Sequence, residues 1–162
     1  MKKKVITLGE VLIDFLALTA NATVGYCERF EKNPGGAPAN VAVGLSRLGL
    51  ASRFIGAVGN DEFGRFLREQ LRKYKVDTKY MKLCDNANTT LAFISQANAR
   101  NRSFCFYRNL GADTLLSKED IKSSYFEDVS LFHFGSLSLT NEPSYSATYK
   151  AVDISRTNNL IV

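Results

Sequence analysis

The chain is poor in cysteine, histidine and proline, with three, one and three of each in 162 residues. Cys27, Cys84 and Cys105 are odd in number and widely spaced. That excludes a disulfide framework and a cysteine-rich metal knot, and it suits a reducing cytosol. The lone His133 stands in a run of bulky apolar residues, so it reads as a core histidine rather than a metal ligand. No apolar run approaches the length of a transmembrane helix. Met1-Lys2-Lys3-Lys4 is basic, but the sequence after it contains Glu10 and Asp14, so it reads as a strand start and not a signal peptide. Long runs of one charge sign are also missing. The net charge of +5 is spread over Lys2–Lys4, Arg65–Lys75, Arg100–Arg108 and Lys118–Lys122 with acids interspersed. That pattern describes a solvated surface, not a nucleic-acid stripe. Repeats and low-complexity tracts are absent.

What is present fits one folded domain: 45% hydrophobic and 23% charged residues. The patterning predicts a strand over 4–9, an irregular extended region over 12–32 and a helix over 38–48 with Val41, Leu45 and Leu48 as its apolar stripe. Small residues at Ala39, Ala42, Gly44 and Ser46 let that helix lie close to a sheet. A strand at 52–58 leads to Asn60 as N-cap of a helix with Phe63, Phe66, Leu67 and Leu71 on one face. Strand-like pieces follow at 80–83, 90–96 and 103–108, the last two forming a hairpin across the polar connection 97–102. Ser117 caps a short helix at 118–123, a buried strand covers 129–134 and a last helix covers 142–156. Asn159-Leu160-Ile161-Val162 reads as the start of another strand. Strands alternating with helices imply an α/β fold with a mainly parallel sheet covered on both faces.

The densest signal is Asn33-Pro34-Gly35-Gly36-Ala37-Pro38-Ala39-Asn40. Two glycines close a loop, where the backbone can approach a small ligand. Pro38 fits a first helical turn, and Asn40 projects from that turn with two donors and an acceptor. Asp14 is the one carboxylate in the apolar run from Val11 to Leu18. Such a carboxylate needs donors, which sugar hydroxyls supply; a turn or capping role is the alternative.

These residues resemble the ribokinase/PfkB-type carbohydrate kinases, and among them the fructokinases. The matching blocks are Gly9–Phe15, Pro34–Gly49, Phe54–Gly64, Phe106–Asp113 and Phe132–Leu139. The resemblance implies a ribokinase-like Rossmann-type parallel sheet flanked by helices, with segments 14–33 and 88–108 forming a small β-sheet lid. Such kinases are about twice this long, and their second half carries a Gly-Ala-Gly-Asp-type motif with the catalytic base. That motif is absent between Met1 and Val162. The expectation is therefore that residues 1–162 are the amino-terminal half of a sugar kinase, with the base beyond Val162 and ATP and Mg²⁺ bound mostly by the other half.

The implied reaction moves the ATP γ-phosphoryl group to a primary hydroxyl of a small sugar, fructose first. Asp14 and Asn40 would bind hydroxyls, the Gly35 and Gly36 amides would approach the ring, and Phe93 and Phe106 would wall the pocket. Arg108 would meet a hydroxyl, a substrate carboxylate or a phosphate. In the second hairpin strand Phe104, Phe106 and Arg108 share one face, with Cys105 and Tyr107 on the other. A plain amphipathic hairpin with a buried aromatic face is the competing reading. The basic surplus would attract ATP mildly. Partners expected are the sugar and either a second copy through the lid, giving a homodimer, or a complementing second half; neither nucleic acid nor membrane is expected. A 2-keto-3-deoxygluconate kinase is the alternative suggested by Phe106 and Arg108, and an aminoimidazole riboside-type kinase the one suggested by Gly111-Ala112-Asp113. From another class stands a catalytically inert sugar-binding or assembly fragment.

Overall fold

The computed structural model describes residues 4–96 and 101–162. The basic residues Lys2 and Lys3 and most of the 97–102 connection lie outside them. Two four-stranded sheets organise the chain. The first contains β1 (Lys4–Leu8), β4 (Ser52–Gly59), β5 (Met81–Cys84) and β8 (Val129–Phe134) in the order β5-β4-β1-β8. All its pairings are parallel. The second contains β2 (Leu12–Ala17), β3 (Phe30–Gly35), β6 (Leu91–Gln96) and β7 (Arg102–Tyr107) in the order β3-β2-β6-β7. The helices are α1 (Ala37–Arg47), α2 (Glu62–Lys73) and α3 (Ser144–Thr157).

The parallel sheet is covered on both faces, as its continuous apolar strands require. All eight residues of β4 are buried. Phe54 and Val58 join Ala39, Ala42, Leu67 and Leu71 on the α1–α2 side. Ile55 joins Ile6, Leu8, Phe132, Ala147 and Ala151 on the α3 side. In α1 the small residues make the contact: Pro38, Ala39 and Ala42 are buried, whereas Leu48 is 81% exposed. The expected stripe of Val41, Leu45 and Leu48 therefore does not face the sheet, because close packing of the helix leaves room only for small side chains.

The region 12–32, expected to be irregular and extended, contains β2 and the first half of β3, paired antiparallel from Leu12 opposite Gly35 to Ala17 opposite Phe30. The N-cap of α2 is Asp61, not Asn60. The Asp61 carboxylate accepts from the Gly64 N–H at 2.7 Å, the Thr89 N–H at 2.8 Å and the Thr89 hydroxyl at 2.8 Å. Asn60 instead donates its amide to Asp85 at 2.7 Å. Burial pushes the Asp61 carboxyl up, but the bonds from Thr89, Gly64 and Phe63 outweigh it and hold the group below the usual carboxylate range. Ser117 starts its short turn as expected: the Asp120 carboxylate accepts the Ser117 N–H at 2.8 Å. His133 is half-buried on β8 rather than a core residue. Ile161 pairs in parallel with Leu131 at the outer edge of β8.

Candidate active site

Strand order reverses at β1. The chain leaves β1 through α1 to β4 and then passes through α2 to β5, while β8 returns on the opposite side. In open α/β sheets the carboxyl ends at such a reversal frame a ligand crevice. Here they are Gly9–Val11 after β1 and Gly135 after β8, with the Gly135 N–H donating to the Leu8 carbonyl at 3.0 Å. Pro38 packs into this junction. A Cβ on Gly9 or Gly135 would stand 2.5 or 2.6 Å from its Cγ, so only glycines admit it.

The second sheet carries the neighbouring carboxylate. Asp14 sits in the middle of β2, opposite Asn33 on β3 and Ala92 on β6. It is neither in a turn nor at a helix cap, so the capping alternative fails. The group is half-buried, accepts no hydrogen bond among the described residues, and burial raises its pKa above the ordinary carboxylate value. The Gly-Gly pair owes its composition to neighbouring protein atoms. A Cβ on Gly35 would collide with the Asp14 carboxylate, and one on Gly36 with the Glu10 carbonyl. Gly36 also holds φ at 102°, in the left-handed region that favours glycine. It is the N-cap of α1, and its carbonyl accepts the Asn40 N–H at 2.9 Å. Asn40 is exposed and opens, with Pro34, Gly35, Val43 and Arg47, onto a cleft of about 180 Å³ between α1 and α2.

Register divides the expected aromatic walls. Ala92 pairs with Phe106, so Asp14, Ala92 and Phe106 form one row on one face of the second sheet. Phe15 pairs with Phe93 and Phe93 with Cys105, which places Phe93 on the other face. There it stacks on Phe15 at 4.9 Å between centroids and meets Phe30 at 5.3 Å and Tyr107 at 5.6 Å edge-on. Phe93 is thus separated by the sheet from Asp14 and Phe106, contrary to the expectation of a shared pocket. Phe104 and Phe106 are 51% and 54% exposed, so the aromatic face of the hairpin is not a buried one.

Arg108 lies beyond the last residue of β7 and is held by Asp113, from Nη2 at 2.7 Å and Nε at 2.8 Å. Asp113 also accepts the Thr90 hydroxyl. A guanidinium so engaged has less to offer a ligand than the sequence suggests.

Sequence reasoning passed over Glu10. It is only 6% exposed. Its Oε1 accepts the Ala37 N–H at 3.0 Å at the start of α1. Oε2 is buried without a partner among the described residues. Burial, partly offset by backbone hydrogen bonds, raises its pKa above the ordinary carboxylate value. Its partner lies 27 residues downstream, so no local pattern reveals it. Among the described residues no group of three or more His, Cys, Asp or Glu gathers to hold a metal ion, and no helix is long and apolar enough to cross a membrane.

A parallel four-stranded sheet flanked by helices, accompanied by a second four-stranded sheet, defines a ribokinase-like α/β protein. The chain belongs to the pfkB family of carbohydrate kinases, whose description it matches over residues 2–161. It is 43% identical to probable fructokinase-7 of Arabidopsis thaliana over 152 residues, 94% of this chain and 44% of that protein. The structure of fructokinase from Xylella fastidiosa superposes with a TM-score of 0.86 at 37% identity, covering 96% of this chain and 50% of that one. An uncharacterized sugar kinase from Pyrococcus horikoshii in complex with ATP superposes with a TM-score of 0.90 at 36% identity, covering 97% and 51%. The chain thus spans about half the length of the relatives it matches.

Proposed function

We propose that this chain forms the sugar-binding, amino-terminal half of an ATP-dependent fructokinase, with the lid built from segments 14–33 and 88–108. The observation that carries the reading is Asp14. It is a half-buried carboxylate without a hydrogen-bond partner among the described residues, pressed against Gly35 of the glycine pair and sharing a lid face with Phe106. A carboxylate so placed accepts hydroxyl protons, and an aromatic side chain beside it covers the apolar part of a sugar.

ATP supplies the γ-phosphoryl group and Mg²⁺ neutralises its charge, both held mostly by groups outside these residues, as is the catalytic base. The work of this chain is positioning. Asp14 fixes a hydroxyl, Asn40 and the turn at Gly35–Gly36 set the edge of the pocket, and the lid excludes water from the reacting centre. The exposed apolar residues Leu16 and Phe104 suit the lid to a second copy of the chain, giving a homodimer. The free thiols of Cys27, Cys84 and Cys105 suit a cytoplasmic protein.

Fructose is favoured over 2-keto-3-deoxygluconate because Arg108, the group that would meet a substrate carboxylate, is already bound by Asp113. ADP release by the full-length protein over fructose, ketodeoxygluconate and aminoimidazole riboside tests the assignment. Fructose should give the highest kcat/KM. A higher value for ketodeoxygluconate would overturn the fructose assignment, and sugar binding without ADP release would favour an inert binding protein.

A further inference from the structure

Gly111-Ala112-Asp113 has so far done no more than hold Arg108. Ala112 is fully buried and packs with Ala57 of β4 and Cys84 of β5. Its N–H donates to the Asn88 carbonyl at 2.9 Å. The parallel sheet therefore carries the residue that follows, Asp113. The Asp113 side chain is only 2% exposed, and a carboxylate so buried needs donors. It finds them at the ends of two strands of the second sheet. Oδ1 accepts the Thr90 hydroxyl. Oδ2 accepts from Arg108 Nη2 at 2.7 Å and Nε at 2.8 Å. These two partners stand across the hairpin from each other. Ala92 pairs with Phe106 and Leu91 with Tyr107, and one step further sets Thr90 opposite Arg108. Side chains alternate along a strand, so Thr90 and Arg108 project from the face that carries Ala92, Phe106 and Asp14. The Thr90 carbonyl in turn accepts the Ile13 N–H at 3.1 Å, one residue before Asp14. One carboxylate thus ties together the ends of β6 and β7 and, through Thr90, reaches β2. Only glycine fits the turn that aims it. A Cβ on Gly111 would collide with Thr90 Oγ1 and stand 2.9 Å from Asp113 Oδ1 and 3.0 Å from Arg108 Cγ. Asp61 grips the adjacent Thr89 from the start of α2. Two consecutive threonines at the base of β6 are therefore each held by a carboxylate from outside the second sheet.

We propose that Asp113 is a positioning residue of the sugar site. It touches no substrate; it fixes the second sheet against the parallel one, so that Asp14 and Phe106 keep the placement a small sugar requires. The inference rests on the sugar-kinase reading above and adds to it the group that sets the site's geometry. Arg108 then serves as one arm of this clamp rather than as a ligand for the sugar. Asp14 and Phe106 bind the sugar before any bond changes, so loosening them weakens binding more than the chemical step and shows in KM rather than kcat.

The test is steady-state kinetics of the full-length protein with the sugar it turns over best, beside melting temperatures. The proteins are the wild type, Thr90→Val, Thr90→Ser, Asp113→Ala and the variant carrying both Asp113→Ala and Thr90→Val. Valine keeps the shape of Thr90 and removes its hydroxyl. Its KM should rise roughly tenfold with kcat little changed, less than the roughly hundredfold that a misplacement of about 1 Å can cost. Thr90→Ser keeps the hydroxyl and should keep the wild-type KM. Asp113→Ala frees Arg108 as well and should raise KM further. Adding Thr90→Val to it should change KM no more, because the bond between them is already gone. Thr90→Val alone decides the matter should Asp113→Ala fail to fold. A KM unchanged in Thr90→Val, a KM raised as much by Thr90→Ser as by Thr90→Val, or a loss confined to kcat and melting temperature would overturn the proposal and leave Asp113 a structural tie. A wild type that turns over no sugar would instead overturn the kinase reading, and this proposal with it.

Discussion

At Gly35 and Gly36 one added methyl group has two different outcomes. At Gly35 it meets the Asp14 carboxylate, a side-chain end that can rotate away. At Gly36 it meets the Glu10 carbonyl, part of the backbone, at a φ of 102°. Gly35→Ala should therefore leave the melting temperature nearly unchanged while impairing the sugar site. Gly36→Ala should destabilise the fold by about 1–3 kcal/mol, the usual cost of a strained backbone position. Urea titration beside kinetics separates the two, and a Gly35→Ala protein with full activity would show that Asp14 does not need its present orientation. The glycine pair and Asp14 were legible in the sequence because they are local: a turn, a helix start and a lone acid in an apolar run. The bond from the Ala37 N–H to Glu10 was not, since it joins residues 27 positions apart that only the fold brings together.

Among the elements, α2 and the second sheet are coupled through Asp61, which caps the helix and accepts twice from Thr89, just ahead of β6. Asp61→Ala should cost about 0.5–2 kcal/mol as a lost cap, and Asn60→Ala clearly less. The folded pKa of Asp61 is depressed, so its contribution is complete above the unfolded value of about 3.9 and fades as pH falls through the folded value. The stability gap between wild type and Asp61→Ala should be widest near neutrality and close in acid; a gap constant from pH 7 to pH 2 would contradict the account. Sequence favoured Asn60 because both residue types cap well, and only the extended backbone at Asp61 decides between them. The hairpin shows the same limit. Alternation placed Phe104 and Phe106 together, but whether Phe93 joins them depends on register, and here Ala92 rather than Phe93 faces Phe106. Phe106→Ala should raise KM for the sugar with little loss of stability. Phe93→Ala should lower stability by up to about 3 kcal/mol with a smaller effect on KM. The reverse pattern would place the sugar on the other face of the lid.

For the molecule as a whole, alternation of apolar strands and amphipathic helices made the parallel sheet readable, while Ile161 makes only a single parallel bridge to Leu131 beside β8. The separate second sheet was readable only as two segments that did not fit that alternation, because parallel pairing of β2 with β6 joins residues nearly eighty positions apart. These two sheets meet where Asp14 faces the glycine turn, and the central claim is that a sugar hydroxyl binds there. The most direct test is kcat/KM for fructose in the full-length protein, wild type against Asp14→Ala. Removing a charged acceptor should lower it roughly ten- to a hundredfold with the melting temperature held; unchanged kinetics in a folded Asp14→Ala protein would contradict the account.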